Sequence, residues 1–136
     1  MTVARSSNRA VAERLYEAFE ARDPQAILDV LQPDFRGEVS AGMPNAWGGV
    51  YEGAEAMLRD CWGAVFTRLD TRPVPAEYLE TVDGRIVVVG HYIGLNRDTE
   101  RPHRAAFAHI LRFRDGRIAE LVQITDTARW HAALSD

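Results

Sequence analysis

Residues 104–126 read RAAFAHILRFRDGRIAELVQITD and predict two β-strands joined by a tight turn. Asp115-Gly116 is the turn, because a short hairpin loop requires positive φ angles that glycine adopts readily. Alternate side chains of a strand share a face, and one face of the first strand carries a single polar residue, His109. The residues on that face are Ala105, Phe107, His109, Leu111 and Phe113. A polar group in an apolar row needs a hydrogen-bond partner or a function, so we predict that the hairpin forms the floor of a pocket and that His109 points into it.

The second strand of the hairpin places Gln123 between Leu121 and Thr125 on one face. Gln123 could donate or accept a hydrogen bond with His109 across the hairpin, hold a substrate carbonyl, or simply line a wet cavity. For His109 the alternative to a pocket role is a core histidine bonded to a neighbouring group. An imidazole titrates near neutrality, which makes His109 a candidate for proton transfer or for polarising a carbonyl.

The chain before the hairpin begins with helices. Apolar residues recur at helical spacing from Ser7, through Val11 and Leu15, to a predicted end near Arg22. Asp23-Pro24 predicts the start of a short second helix, which Pro33 is expected to end. Further predicted elements are a strand at 34–41, a loop at 42–49, a helix at 53–69, an irregular or edge strand at about 76–82 after Pro73 and Pro75, a strand at 85–96 and a closing helix at 126–134.

This order predicts an α+β fold in which helices cover one face of a curved, mostly antiparallel sheet in meander order. We expect residues 1–136 to form one domain. The strand at 85–96, RIVVVGHYIGLN, is apolar on both faces. One face should meet the helices, and the other, which carries His91, should meet a second subunit, so we expect a homodimer. Tyr92 should lie on the inner face beside Gly90 and Gly94, whose missing side chains leave room.

Composition excludes several classes of function. The net charge is −4 and all basic residues are arginines scattered singly along the chain, which argues against a nucleic-acid partner. The single cysteine, Cys61, excludes an internal disulfide. We find no membrane-length apolar run and no signal peptide, so we expect no membrane partner and a cytoplasmic location. No metal-ligand spacing or phosphate-binding loop is present. We therefore expect no metal and no cofactor, and His103 and His131 are predicted to be peripheral.

Three stretches resemble the SnoaL-like branch of the nuclear transport factor 2-like superfamily. They are AERLYEAFEARDPQAILDVLQPDF near the start, GGVYEGAEAM at the third helix, and HILRFRDGRIAEL in the hairpin. The resemblance covers nearly the whole chain and implies a cone: a curved antiparallel sheet wrapped by the N-terminal helices, with a pocket at one end. This fold hosts polyketide cyclases, ketosteroid isomerases, epoxide hydrolases, dehydratases and non-catalytic binding domains, so it does not select one activity.

The resemblance also implies roles for individual residues. The protonated Asp of ketosteroid isomerase, a carboxylic acid that its apolar site keeps neutral, corresponds to His109. The helix-one Tyr of that enzyme falls on Leu15, with Tyr16 beside it on a different face, and its general base falls near Val39 or Ser40, next to Glu38. The acid/base Asp of the SnoaL-like cyclases corresponds to Gln123, an amide that does not titrate.

These observations predict a cofactor-free enzyme that acts next to a carbonyl by cyclisation, isomerisation or dehydration of a polyketide-like or other cyclic small molecule. His109 would be the acid/base or oxyanion partner, and Asp126 or Glu38 the second titrating group. As alternatives, Asp126 caps the closing helix and Glu38 is solvated. Non-catalytic ligand binding and epoxide hydrolysis remain alternative functions. The residues expected to bind substrate are Gln123, Tyr92, Tyr16, Trp47, Trp62 and Phe107, although each aromatic residue taken singly could belong to the core.

Overall fold

The computed structural model describes the backbone of residues 3–135 and the side chains of residues 8–135. Two helices open the chain, α1 (Val3–Ala21) and α2 (Pro24–Asp29). Asp23 caps α2 as predicted, because its side chain accepts a hydrogen bond from the backbone N–H of Ala26. The helix ends at Asp29, before Pro33, so the prediction that Pro33 ends it was wrong. None of the helices described is long and apolar enough to cross a membrane.

A six-stranded sheet follows along the chain, with helix α3 between its second and third strands. The strands are β1 (Leu31–Val39), β2 (Gly49–Glu52), β3 (Leu69–Glu80), β4 (Ile86–Asn96), β5 (Pro102–Arg114) and β6 (Arg117–Thr125). Helix α3 consists of an α-helical segment Ala54–Ala56, a π-helical segment Met57–Trp62 and an α-helical segment Gly63–Arg68. Helix α4 (Thr127–Leu134) closes the chain.

The strand order is β2-β1-β6-β5-β4-β3. Strands β3 to β6 form the predicted antiparallel meander, but β1 pairs with β6 in parallel. The short strand β2, which pairs with β1, was not predicted. Strand β3 is the expected edge strand, with a register shift between Pro75 and Glu77, yet it begins at Leu69 rather than near 76. An edge strand tolerates these prolines because one side of it needs no backbone donors.

Two glycines in β4 allow the sheet to curl into a cone. A Cβ atom added to Gly90 would lie 2.1 Å from the carbonyl oxygen of Val74, and one added to Gly94 would lie 2.0 Å from that of Asp70. Strand β3 therefore approaches β4 more closely than any other residue type would permit at these positions. The curvature brings the inner face of the sheet around the face of α1 that includes Leu15, Tyr16 and Phe19, all of which are buried.

The outer face of the sheet is less buried than the inner face in the described part of the chain. Its apolar side chains on β4 are half-buried or exposed, and Leu95 is 37% and Ile124 of β6 57% exposed. His91 lies on this outer face, as the alternation predicts. Cys61 is buried in the core, as expected for a structural thiol.

Candidate functional site

His109 lies in the middle of β5 on the inner face of the sheet, and only 1% of it is exposed. It faces Gln123 across the hairpin, because the β5–β6 register pairs these two residues directly. The His109 Nε2 atom lies 2.6 Å from the Oε1 atom of Gln123, and its Nδ1 atom lies 2.7 Å from the hydroxyl oxygen of Tyr16. Both ring nitrogens therefore have side-chain partners, contributed by β6 and α1.

The hydrogen bonds determine which nitrogen of His109 carries the proton. The Gln123 carbonyl oxygen can only accept, so Nε2 is the protonated nitrogen and donates to it. Nδ1 is then a bare acceptor, and the Tyr16 hydroxyl donates to it. Tyr92 donates a second hydrogen bond to the same Gln123 oxygen at 2.7 Å, and its hydroxyl lies 3.4 Å from His109 Nε2. We call these four residues, Tyr16, Tyr92, His109 and Gln123, the interior network.

Every member of the interior network is uncharged at neutral pH. Burial lowers the pKa of His109 from 6.5 to about 4, and the hydrogen bond to Gln123 opposes that change only in part. Burial also raises the pKa of Tyr16 well above its ordinary value, and the neighbouring Tyr92 and Tyr78 raise it further. The pKa of Tyr92 is raised for the same main reason. The site therefore contains a neutral imidazole with one lone pair, which is the form that can accept a proton.

Aromatic rings enclose the imidazole. The Phe107 ring stacks on that of His109 with centroids 4.2 Å apart, and the Tyr16 ring is nearly parallel to it at 5.8 Å. Tyr92 meets the imidazole edge-on at 6.1 Å. These rings exclude water from the imidazole, which is the physical origin of its lowered pKa.

The two predicted carboxylates lie elsewhere. Glu38 is exposed and points away from the interior, because its neighbours Gly37 and Val39 take the buried side of the β1 alternation. Its carboxylate lies 3.5 Å from Arg36. Asp126 is also exposed, at the N-cap position of α4, although its side chain makes no capping hydrogen bond. The buried polar residues in the described part of the chain include no Asp or Glu.

The two predicted tryptophans are buried outside the interior network. Trp62 packs edge-to-face on Phe19 at 5.0 Å and against Phe35 at 6.3 Å, so it belongs to the wall between α1, α3 and the sheet. Trp47 lies in the segment before β2, where its carbonyl oxygen accepts a hydrogen bond from the Tyr51 hydroxyl.

Two cavities lie along α1, and one of them reaches the interior network. One, the outer groove, has a volume of about 360 Å³ between α1 and β3, and Tyr16 forms part of its wall. The other, the apolar chamber, has a volume of about 350 Å³ between α1, α2, α3 and the start of β3. Phe19 lines the apolar chamber, and its ring contacts that of Tyr16 with centroids 6.4 Å apart. The apolar chamber is lined by Phe19, Arg22, Pro24, Ile27, Leu58, Gly63, Phe66 and Thr71.

The sequence predictions were wrong about the helix face of Tyr16, which was nevertheless expected to bind substrate, and about the burial of His103. Tyr16 was assigned to a different face from the helix-one Tyr position at Leu15, but both face inward and the Tyr16 hydroxyl reaches His109. The i, i+4 spacing of Ala12 and Tyr16 was the available signal. His103 was predicted to be peripheral but is 1% exposed. It shares the alternation of Ala105, Phe107 and His109, so extending that face by two residues would have found it. His131 is exposed, as predicted.

Within the described residues, no group of three or more His, Cys, Asp or Glu side chains is arranged to hold a metal ion. The site consists of a neutral histidine, two phenols and one amide, surrounded by aromatic rings. Such a set can accept, donate and relay protons, or hold an uncharged polar ligand by hydrogen bonds.

Comparisons with known proteins agree with this architecture. The sequence model of the SnoaL-like domain matches residues 12–121. A solved NTF2-like protein of unknown function from Burkholderia pseudomallei is 30% identical, with a TM-score of 0.85 over 96% of this chain and 98% of its own. TerC, co-crystallised with polyporic acid, is 27% identical, with a TM-score of 0.83 over 93% of this chain and 97% of its own.

At lower identity the likeness concerns the fold alone. IdmH from Streptomyces antibioticus, a proposed polyketide cyclase, is 22% identical, with a TM-score of 0.79 over 93% of this chain and 97% of its own. No curated protein matches the sequence significantly.

Proposed function

We propose a function for this chain, which belongs to the SnoaL-like family. Its SnoaL-like domain spans residues 12–121. The protein is a cofactor-free enzyme of the cyclase or isomerase type, built as one domain, that moves a proton next to the carbonyl of a small cyclic or polyketide-like substrate. The observation that carries the proposal is the interior network, in which a buried neutral His109 accepts a hydrogen bond from Tyr16.

Tyr16 is the residue through which the interior network meets a cavity, because it lines the outer groove and also bonds His109. A substrate in the groove would place the C–H bond next to its carbonyl beside the Tyr16 oxygen. The Tyr16 oxygen takes that proton while its own hydroxyl proton passes to His109 Nδ1, which leaves an enolate and an imidazolium. The imidazolium continues to donate its Nε2–H to the Gln123 oxygen.

Return of the proton to a different carbon of the enolate gives isomerisation, and attack of the enolate carbon on a second carbonyl gives cyclisation. The same relay then runs backwards and restores neutral His109. Because burial lowers the pKa of His109 to about 4 and Gln123 supplies no negative charge, His109 is a weak base. The substrate must therefore carry an activated C–H bond, as between two carbonyls, which is the chemistry of a polyketide chain.

Two structurally similar proteins support a cyclic or polyketide-like ligand. TerC was co-crystallised with polyporic acid, and IdmH is a proposed polyketide cyclase. The proposal gives no catalytic role to Asp126 or Glu38, since both are exposed and lie outside the interior network. The aromatic residue with the closest stacking on His109 is Phe107, and we assign it to the wall that keeps the imidazole dry.

The test is exchange of carbon-bound protons in D2O. We would incubate the protein with 2-tetralone, whose C1 protons are activated by both the carbonyl and the aromatic ring, and follow loss of the C1 proton signal by NMR. Wild-type protein should exceed the buffer rate, and both His109→Gln and Tyr16→Phe should lower that excess by roughly 10²-fold or more, the usual contribution of a positioned acid or base.

His131→Gln is the matched control, because His131 is exposed and its ring bonds the Gly42 carbonyl, outside the interior network. It should exchange protons at the wild-type rate. Binding of 2-tetralone is measured in parallel by saturation-transfer NMR. A bound ketone that exchanges no faster than in buffer would contradict the enzymatic proposal.

One observation favours a second candidate, a non-catalytic ligand-binding protein. Both nitrogens of His109 already have partners, and the titrating Asp of the related cyclases is replaced by Gln123, so the interior network is stable without a substrate. This function predicts binding of polyporic acid or 2-tetralone by calorimetry with no exchange above buffer. Epoxide hydrolysis is not favoured, since it requires inward carboxylates and the buried polar residues described include none.

We also propose that the protein acts as a homodimer through the outer face of the sheet. Strands β4, β5 and β6 carry an apolar row on this face, and the most exposed members are Ile124 and Leu95. A second copy would cover these side chains by self-complementary packing about a two-fold axis.

A further inference from the structure

Thr71 and His103 form a second buried polar pair on the inner face, where the His103 ring lies 6.4 Å from the ring of Tyr92 between centroids. Thr71 lies in β3 and His103 in β5, and both pair with Gly94 of the strand between them. The Thr71 hydroxyl lies 2.8 Å from His103 Nδ1. The residues are only 2% and 1% exposed, and the His103 ring packs against Trp130 with centroids 4.3 Å apart.

The other ring nitrogen, His103 Nε2, is buried and has no hydrogen-bond partner among the described residues. An unpaired buried polar atom costs folding free energy, because water no longer solvates it and nothing replaces that water. The proposed function gives no role to this histidine. It is therefore a polar group that the fold retains without a structural partner for its second nitrogen.

His103 also differs from His109 in that no hydrogen bond among the described residues fixes its tautomer. The Gln123 oxygen forces the proton of His109 onto Nε2. In His103 the proton can occupy either nitrogen, because Thr71 can both donate and accept. With the proton on Nε2, the Thr71 hydroxyl donates to His103 Nδ1, and the Thr71 oxygen can accept a hydrogen bond from another group. With the proton on Nδ1, His103 donates to Thr71 and the Thr71 hydroxyl donates onward.

Thr71 forms part of the wall of the apolar chamber, whose other lining is dominated by Phe19, Ile27, Leu58 and Phe66. The one charged residue of the lining, Arg22, is paired with the carboxylate of Asp70. The apolar chamber therefore offers no free charge to a ligand. Its volume of about 350 Å³ lies within the range of small-molecule pockets and suits a molecule of roughly two or three fused rings.

We propose that the apolar chamber binds an uncharged ring compound and that the Thr71–His103 pair forms its polar anchor, which accepts a ligand hydroxyl or donates to a ligand carbonyl. The two tautomers of His103 allow the anchor to serve either group. This recognition site is separate from the proton relay. It depends on the proposed function only in that the protein binds a small molecule, and it requires no turnover.

The experiment compares 2-naphthol with naphthalene, two probes that differ by one hydroxyl. Dissociation constants come from NMR titrations that follow the backbone amides around the apolar chamber. Wild-type protein should bind 2-naphthol roughly tenfold more tightly, which corresponds to one buried hydrogen bond. Thr71→Val keeps the shape of the side chain but removes its hydroxyl, so the preference should fall to about one while naphthalene binding stays unchanged.

Thr67→Val is the matched control, because Thr67 lies on α3 with an exposed hydroxyl that bonds the Gly63 carbonyl. It should keep the wild-type preference. A second readout, the ¹⁵N shifts of the histidine rings, needs no variant. Addition of 2-naphthol should shift both nitrogens of His103 towards a single tautomer, and naphthalene should not.

The proposal is overturned if wild-type protein binds the two probes equally or binds neither, or if Thr71→Val retains the preference for 2-naphthol. It is also overturned if 2-naphthol shifts the ring nitrogens of His109 and leaves those of His103 unchanged. Should Thr71→Val fail to fold, the His103 spectrum of the wild-type protein decides the question. A failure of proton exchange with 2-tetralone would leave this binding result unaffected.

Discussion

The buried neutral state of His109 predicts a specific pH dependence of stability. The pKa is about 4 in the folded protein and 6.5 in an unfolded chain. Between these values the unfolded chain binds a proton at this position and the folded protein does not. Stability therefore falls as the pH falls from 6.5 to 4, and the contribution of His109 is fully present above pH 6.5.

The magnitude follows from the difference between the two values. At about 1.36 kcal/mol per pH unit, a change from 6.5 to about 4 corresponds to roughly 3 kcal/mol for His109 alone. Burial also lowers the pKa of His103 to about 4, so His103 contributes in the same pH window. Small domains have total stabilities of about 5–15 kcal/mol, so the two histidines should make this protein distinctly acid-sensitive.

The perturbation is His109→Gln, which removes the titrating group. The assay is urea unfolding, followed by tryptophan fluorescence at several pH values between about 7 and 4.5, with the free energy of unfolding extrapolated to water. Within this window the slope of stability against pH should be smaller in the variant than in wild type by up to about 1.4 kcal/mol per pH unit. The slope is the readout, because the variant also loses hydrogen bonds that lower its stability at every pH.

Two aspartates with lowered pKa values, Asp70 and Asp83, do not interfere with this measurement. The pKa of Asp83 is lowered to about 2 by its hydrogen bonds with Thr81 and Arg85, and that of Asp70 is lowered by Arg22. A carboxyl with a lowered pKa loses its contribution only below its ordinary range, beneath the histidine window. An equal slope in wild type and His109→Gln would refute the assignment of His109 as a buried neutral base.

Two further predictions concern the sheet. Gly90→Ala should lower the free energy of unfolding by more than about 2 kcal/mol, since the new Cβ would overlap the Val74 carbonyl oxygen 2.1 Å away and only a backbone shift could relieve the overlap. Gly42→Ala should change the free energy of unfolding little, because the nearest neighbour of its new Cβ is the movable Thr127 side chain. Equal effects of the two substitutions in urea unfolding would contradict this account of the sheet curvature. Ile124→Glu should convert the proposed homodimer to a monomer in sedimentation experiments, because it places a charge within the exposed apolar row. A wild-type protein that is already monomeric would refute the dimer.

The local sequence determined much of the floor of the site. The Asp115-Gly116 turn has φ angles of 52° and 77°, as a tight hairpin requires. The strand period of two then places His109 on the inner face, but the register set by the turn would pair it with Val122. A register shift between Arg112 and Phe113, which local patterns did not predict, brings His109 opposite Gln123. The Asp23 cap and the apolar positions of α1 were equally readable, because they depend on residues a few positions apart.

The tertiary structure decided which groups meet across elements. Tyr16 and His109 are separated by 93 positions, and their hydrogen bond depends on how α1 lies across the curled sheet. The pairing of Thr71 with His103 depends on the close approach of β3 to β4 at Gly94. The parallel pairing of β1 with β6 also lies beyond local patterns.

The division between local sequence and tertiary packing also explains the chemistry of His109. Alternation in the sequence showed which side chains face inward, but it contained no information on how dry their surroundings are. The lowered pKa of His109 arises from burial among Phe107, Tyr16 and Tyr92, which three different elements contribute. The sequence by itself determined that a histidine faces the interior; only the packing of helix and sheet around it decided that this histidine is neutral, hydrogen-bonded on both nitrogens and able to accept a proton.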